Sequence, residues 1–401
     1  MEGSASHIPA GENMTRSLVT MEYDPLADRF PASDRVVLHG LMGAFGPTDN
    51  YNLWPDDVWD MNEQVMYWIS AASNRPEISA PLSRWAEGQG ASSNTAGGLW
   101  MVHNYVKQMR FEGNISGLVG VALPLIASMV QAIAGGSEGS PGSLKLVNGT
   151  YHIEHCSSPE YRCYPPFQDR ACTPDTDCNY ALSQLRWGLR TVLSLSKLAS
   201  SVSAGDDHEH ADNTAAAFKN SNSTAPTTAI IPVRWWQSLL DGKLVWYPND
   251  SETGFRLDQK CAFECPRRHF SHLLQLYDLE EVQMTVIGEE KEEENLEDAE
   301  KVPPLSALAV NGSPSPADVN RLITLSIDNW YRVTCNESNW FNEECRGFTQ
   351  CGLVAMNTVA GRPAAAQGNL TNCVDTVITP NAMYGEMVRF GGGRVAGLMI
   401  W

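Results

Sequence analysis

Between residues 178 and 198 the apolar positions Leu182, Leu185, Leu189, Val192 and Leu195 recur every three or four residues. That spacing places them along one side of an α-helix, so the segment predicts an amphipathic helix with a continuous buried stripe. Similar patterns predict helices over residues 56–73, 95–111, 117–134, 231–240, 269–277, 315–333 and 344–360. The first opens on Asp56 and Asp57, acidic residues suited to a helix start. The second and third run into Gly113 and Gly135-Gly136, which suit helix ends. Alternation of period two is rare, so the expected fold class is all-α.

Three polar segments interrupt the pattern and read as surface loops or insertions. Residues 137–143 are rich in Gly and Ser, residues 199–228 in Ser, Ala, Thr and Asp, and residues 286–304 carry an acidic run that ends at Pro303-Pro304. From Glu289 to Glu300 this run holds eight acidic residues and one lysine, which is a solvated stretch rather than a packed one. Residues 117–134 are apolar enough to resemble a membrane span, but they contain Pro124, Ser128 and Gln131 and are barely long enough. They read as a buried core helix, and no membrane span is expected.

Charge and cysteine content narrow the classes of function. The net charge is −19, and no basic stripe is present to displace counterions from phosphates, so nucleic acid is not an expected partner. The ten cysteines are even in number and grouped in loop-like segments, and eight asparagines stand in Asn-x-Ser/Thr sequons. Together these point to disulfides, glycosylation and the secretory pathway. Residues 1–15 are polar and have no signal-peptide pattern, so the expectation is a secretory protein lacking its leader.

Three clusters carry candidate chemistry. Trp59, Asp60 and Asn62 lie at the start of a helix that continues into Tyr67-Trp68, combining aromatic faces with short polar groups as a sugar pocket requires. Ser157-Ser158-Pro159-Glu160-Tyr161 follows Tyr151-His152-Ile153; a carboxyl group among Pro and aromatic residues is desolvated toward a higher pKa and suits proton donation. Arg267-Arg268-His269-Phe270-Ser271-His272 offers several donors for hydroxyl groups. Cys261, Cys265, His269 and His272 also form C-x3-C-x3-H-x2-H. Zinc fingers usually leave about twelve residues between the two pairs, so no metal site is expected here. Asp206 to His210 lies in a low-complexity stretch and reads as solvated.

In this order the clusters resemble glycoside hydrolase family 95. WDMNEQVMYW with SNRPE, GLWMVHNYVKQMRFEGN, SPEY and RRHFSHLLQLY are each similar to family segments, with Arg267 where the family usually has His; VITPNAMYGE marks the branch. The resemblance runs from about Asn50 to Glu386 and implies an (α/α)6 toroid over residues 50–401, preceded by a lead-in segment over residues 1–49. It implies inverting hydrolysis of α-linked L-fucose or L-galactose, with an oligo- or polysaccharide substrate and no cofactor. Glu160 falls on the general acid. Asp60 and Asn62 fall on the pair holding the nucleophilic water, and Arg268 and His269 fall on sugar contacts. Trp59, Trp100 and His152 complete the expected substrate-binding set. The family pair is typically Asn-x-Asn, so Asp60 is a departure that either alters substrate choice or makes Asp60 itself the base. The family segment carrying the usual base aspartate has no counterpart, so the toroid is expected to be incomplete at its C-terminus. A sugar-binding pseudoenzyme is the alternative.

Overall fold

A computed structural model describes residues 64, 67, 68, 79–89, 98–159, 161, 163, 167–204, 231–267, 269–284, 314–336, 345, 348–377, 385–390 and 393–398. They fall into two compact units, one bounded by Met1–Ile126, Leu195–Thr228 and Asp375–Trp401, the other by Ala127–Ser194 and Ala229–Val374. The expected helix over residues 56–73 and the insertion over residues 286–304 lie almost wholly outside the described residues, as does the lead-in over residues 1–49.

The described residues are mostly helical and form no closed barrel. The helices are α1 (Ala80–Gln89), α2 (Gly98–Glu112), α3 (Ile115–Ala134), α4 (Asn179–Ala204), α5 (Val233–Ser238), α6 (Pro316–Tyr331), α7 (Phe348–Val359) and α8 (Pro363–Val377). Three antiparallel hairpins accompany them: β1–β2 (Leu144–Val147, Thr150–Ile153), β3–β4 (Asn249–Asp250, Gly254–Phe255) and β5–β6 (Gly385–Phe390, Gly393–Leu398).

In the first unit, α2 is buried along nearly its whole length, including the indole of Trp100. The polar side chain of Asn104 is tolerated there because its Nδ2 donates to Gln64 Oε1 at 2.7 Å. Asn114 caps α3 by accepting the Gly117 N–H at 2.8 Å. The start of α3 is widened into a π turn at Leu118–Ala122, just before Pro124. A proline ring clashes with the carbonyl four residues back, and a wider turn relieves that clash. The helix Ile115–Ala134 is long and apolar enough to cross a bilayer, and 61% of its most apolar window is buried inside the protein.

The second unit is organised around the N-terminal part of α4. Leu182, Leu185, Leu189 and Val192 are completely buried, as their spacing predicts. The opposite side is not solvated: Ser183, Gln184 and Arg186 are buried too. Arg186 is accommodated because its guanidinium donates to the carbonyls of Leu244 and Val245, at 3.1 and 2.7 Å, and lies over the rings of Trp246 and Tyr247. The end of α3 is closed by two consecutive indoles of α5, with Trp235 Nε1 donating to Ala134 O and Trp236 Nε1 to Gly135 O, each at 2.9 Å. These satisfy carbonyls that a helix C-terminus leaves without partners. Helix α6 begins with a reciprocal capping box between Ser315 and Asp318.

Two expectations need correction. Residues 269–277 do not form a helix; they contain a short 3-10 turn at Ser271–Leu273 followed by turns. His269, Ser271, His272, Leu273, Leu274, Gln275 and Leu276 are all buried, so burial on every side replaces the single apolar stripe that a surface helix needs. The segment 199–228 is helical up to Ala204. Hairpin β1–β2 was legible in the sequence but absent from the helical reading: Asn148-Gly149, both at positive φ, joins LKLV to TYHI, and this dipeptide is a strong two-residue hairpin signal.

Gly254 shows how closely the second unit is packed. Its φ is +81°, and an added Cβ would lie 2.6 Å from the Ser326 nitrogen and 2.8 Å from the Leu322 carbonyl oxygen on α6. Ser326 Oγ in turn accepts the Phe255 N–H at 2.7 Å. Gly254→Ala is therefore expected to lower stability by about 3 kcal/mol, combining backbone strain with steric displacement of α6. A shift of the urea unfolding midpoint checks this.

Candidate functional site

The candidate site grows from a long loop, residues 154–178, between β2 and α4. A loop of this length has no ladder to hold it, so its shape depends on cross-links and side-chain bonds. Cys156–Cys178 closes the loop on itself. Cys163–Cys265 and Cys172–Cys261 tie it to the segment after β4. Asp258, completely buried, acts as a hub between the two segments. One carboxylate oxygen accepts the N–H groups of Lys260 and Cys261 at 2.8 and 2.6 Å, and the other accepts that of Asp175 at 2.7 Å. A fourth disulfide, Cys335–Cys345, follows α6, and no cysteine is free among the described residues.

This cross-linking brings two of the sequence clusters together. Ser158, of Ser-Pro-Glu-Tyr, shares a buried hydrogen bond of 2.7 Å with Ser271, of His-Phe-Ser-His. Tyr161 packs beside Phe263 at 5.8 Å; its hydroxyl donates to the Ala262 carbonyl at 3.4 Å and accepts the Glu264 N–H at 3.3 Å. Burial pushes the Tyr161 phenol pKa up, so this residue is a neutral structural donor. Phe263 stacks flat on His272 with ring centres 4.3 Å apart. Phe270 meets Trp330 edge-on, and the Trp330 indole donates to the Arg267 carbonyl at 3.0 Å.

Of the expected site residues, Trp59, Asp60, Asn62, Glu160 and Arg268 lie outside the described residues. His269 is buried in the segment that Ser271 joins to the loop. His152 is half-buried on β2, the strand that enters the loop, and its Nδ1 lies 2.6 Å from the Asp177 carboxylate. Trp100 belongs to the first unit, within the core of α2. Cys261 and Cys265, the thiols of the zinc-like spacing, are both consumed in disulfides, so neither is available as a thiolate ligand.

Sequence reasoning missed several polar groups that shape this region. Arg190 on α4 pairs with the buried carboxylate of Glu281. Burial pushes the Glu281 carboxyl pKa up, while Arg190 and Arg186 oppose that shift. Nothing in the sequence around Asp177, Asp258 or Glu281 names a partner, and chain crossings supply the ones they have. No family model and no curated protein matches the chain.

Two outcomes test this framework. The separations closed by Cys163–Cys265 and Cys172–Cys261 are 102 and 89 residues and are nested. With one bridge intact the other closes only a ring of roughly 15 residues, so replacing either pair by Ser is expected to cost about 3 kcal/mol. Replacing both is expected to cost about 7–8 kcal/mol, more than the two single losses together, as read by denaturant unfolding.

The second outcome concerns His272. Burial lowers its pKa from 6.5 to about 3, and no described residue bonds its Nδ1. The folded protein therefore keeps it neutral where the unfolded chain takes up a proton. Its contribution to stability is complete above pH 6.5 and is lost as the pH falls toward 3, by about 2 kcal/mol at pH 5. Glu281 contributes with the opposite sign, so the comparison is made between proteins. His272→Phe is expected to flatten the pH dependence of unfolding between pH 6.5 and 4 relative to the wild type.

Proposed function

We propose that the protein is a glycoside hydrolase acting on α-linked L-fucose or L-galactose-type sugars, with Glu160 as proton donor. The observation that supports this reading most is the 2.7 Å bond between Ser158 and Ser271, reinforced by Cys163–Cys265. It joins the Ser-Pro-Glu segment to the Arg-His-Phe-Ser-His segment across more than a hundred residues of chain. In the proposed reaction these segments supply the acid and the sugar contacts, which must be held together because catalysis needs fixed relative geometry.

In this reading the helices are part of an (α/α)6 toroid. Glu160 protonates the leaving glycosidic oxygen, while Asp60 and Asn62 hold a water on the opposite face of the sugar. Inverting hydrolysis requires the acid and the base carboxylate about 6.5–9.5 Å apart, leaving room for that water. Arg268, His269 and His152 bind sugar hydroxyls and Trp59 offers an apolar face to the ring, whereas Trp100, wholly buried in the core of α2, has no free face to offer it. No cofactor takes part. The four disulfides among the described residues fit an oxidising compartment, in line with secretion of an enzyme that meets extracellular oligo- or polysaccharides.

Incubation with aryl α-L-fucoside and aryl α-L-galactoside is expected to release the aglycone, with the β-anomer of the sugar appearing first by proton NMR. Glu160→Gln removes the transferable proton while keeping the shape of the side chain. It is expected to reduce kcat by at least about a thousandfold on unactivated glycosides, in line with the usual worth of a general acid and the geometry it supports. Turnover that survives this substitution overturns the assignment of the acid. Calorimetric binding of L-fucose without turnover of either glycoside overturns the hydrolase reading and leaves a sugar-binding protein.

A further inference from the structure

Asp177, which no sequence motif singled out, meets the expected sugar contact His152 in a specific geometry. Asp177 is completely buried, immediately before the Cys156–Cys178 disulfide, with φ of 56°. Its Oδ1 accepts the Ile153 N–H at 2.8 Å, and its Oδ2 lies 2.6 Å from His152 Nδ1 and accepts the Gln259 side-chain amide at 3.2 Å. Its backbone N–H donates to the Ile153 carbonyl at 2.8 Å, so β2 grips the residue from both its main chain and its side chain. The histidine itself is only part-buried, with 21% of its side chain exposed.

We propose that Asp177 is a positioning residue that holds His152 as the Nδ1–H tautomer, presenting a bare Nε2 as acceptor for a sugar hydroxyl. An ionised carboxylate has only acceptor sites, and both Asp177 oxygens already receive donors from Ile153 and Gln259. The nitrogen facing it must therefore carry the proton, and in a neutral imidazole the other nitrogen must then be the acceptor. The charged neighbours do not compete for this bond. Glu154 pairs with Lys145, Asp175 lies beside His155, and Asp258 is engaged by backbone N–H groups. In the proposed glycosidase, Arg268 and His269 serve as donors. An acceptor on His152 supplies the complementary half that hydroxyl groups require.

The substrate side of this proposal rests on the glycosidase reading; the tautomer does not. Histidine-selective nitrogen-15 labelling, with His152 assigned through His152→Gln, reads the two ring nitrogens at about pH 8, where imidazole is neutral. The wild type is expected to show a protonated-type shift at Nδ1 and an unprotonated-type shift at Nε2. Asp177→Asn keeps the shape of the side chain but turns an N–H toward His152 Nδ1, so the two signals are expected to exchange. With aryl α-L-fucoside, Asp177→Asn and His152→Gln are both expected to raise KM about tenfold with kcat within twofold, the signature of a lost binding hydrogen bond.

A wild-type His152 protonated at Nε2 overturns the positioning role whatever the activity. Exchange of the tautomer with no change in KM overturns the link to substrate. The correct tautomer in a wild type that neither turns over nor binds either sugar sinks the glycosidase reading and the substrate role while leaving the positioning role standing. If Asp177→Asn does not fold, the wild-type spectrum and the KM of His152→Gln still decide both halves.

Discussion

The junction between the loop of residues 154–178 and the segment of residues 258–271 is the constraint on which the second unit depends. Neither segment has regular structure long enough to hold itself. Their mutual position comes from two nested disulfides, the three backbone N–H groups accepted by Asp258, and the Ser158–Ser271 bond. A buried carboxylate is costly unless it is fully hydrogen-bonded, and Asp258 meets that condition with backbone donors from both segments. The same junction seats Phe263 on His272 and brings Arg267 to Trp330 and Thr334, so α6 is fixed against it as well.

Around that junction the second unit buries an unusual amount of polarity, and each group is handled by a different device. Arg186 is absorbed by backbone carbonyls and aromatic faces. Glu281 is matched by Arg190, at the expense of a raised carboxyl pKa. His272 stays neutral instead, because burial lowers its pKa and no described residue bonds its Nδ1. Such groups narrow the set of packings a core accepts, since a misplaced neighbour leaves a buried polar atom without a partner.

The helices were legible where one local rule governed them. Leu182 to Leu195 on α4 followed helical spacing because one continuous side meets the core. Ser315, Pro316 and Asp318 form the cap of α6 from neighbouring residues alone. The reading failed over residues 269–277, where apolar residues at helical spacing were interleaved with polar ones that are equally buried. Burial on all sides hides the contrast that marks a helix face; α4 stayed legible despite its own buried polar residues because its apolar stripe runs on from Leu182 to Leu195. The Asn148-Gly149 hairpin was recoverable, since its turn chemistry is local.

By itself the sequence determined the mostly helical character and a cysteine content suited to disulfides, and it supplied the ordered clusters behind the proposed hydrolase reading. Those properties follow from spacing and residue type, which are written along the chain. Which cysteine meets which, that Ser158 touches Ser271, and that Asp177 orients His152 were decided only by the tertiary structure. Those partners lie tens to more than a hundred residues apart, and no local rule fixes which of many possible crossings the chain adopts. Burial then decides the chemistry: the same imidazole is a half-buried hydrogen-bonding group at His152 and a wholly buried neutral ring at His272, a difference that sequence position alone does not encode.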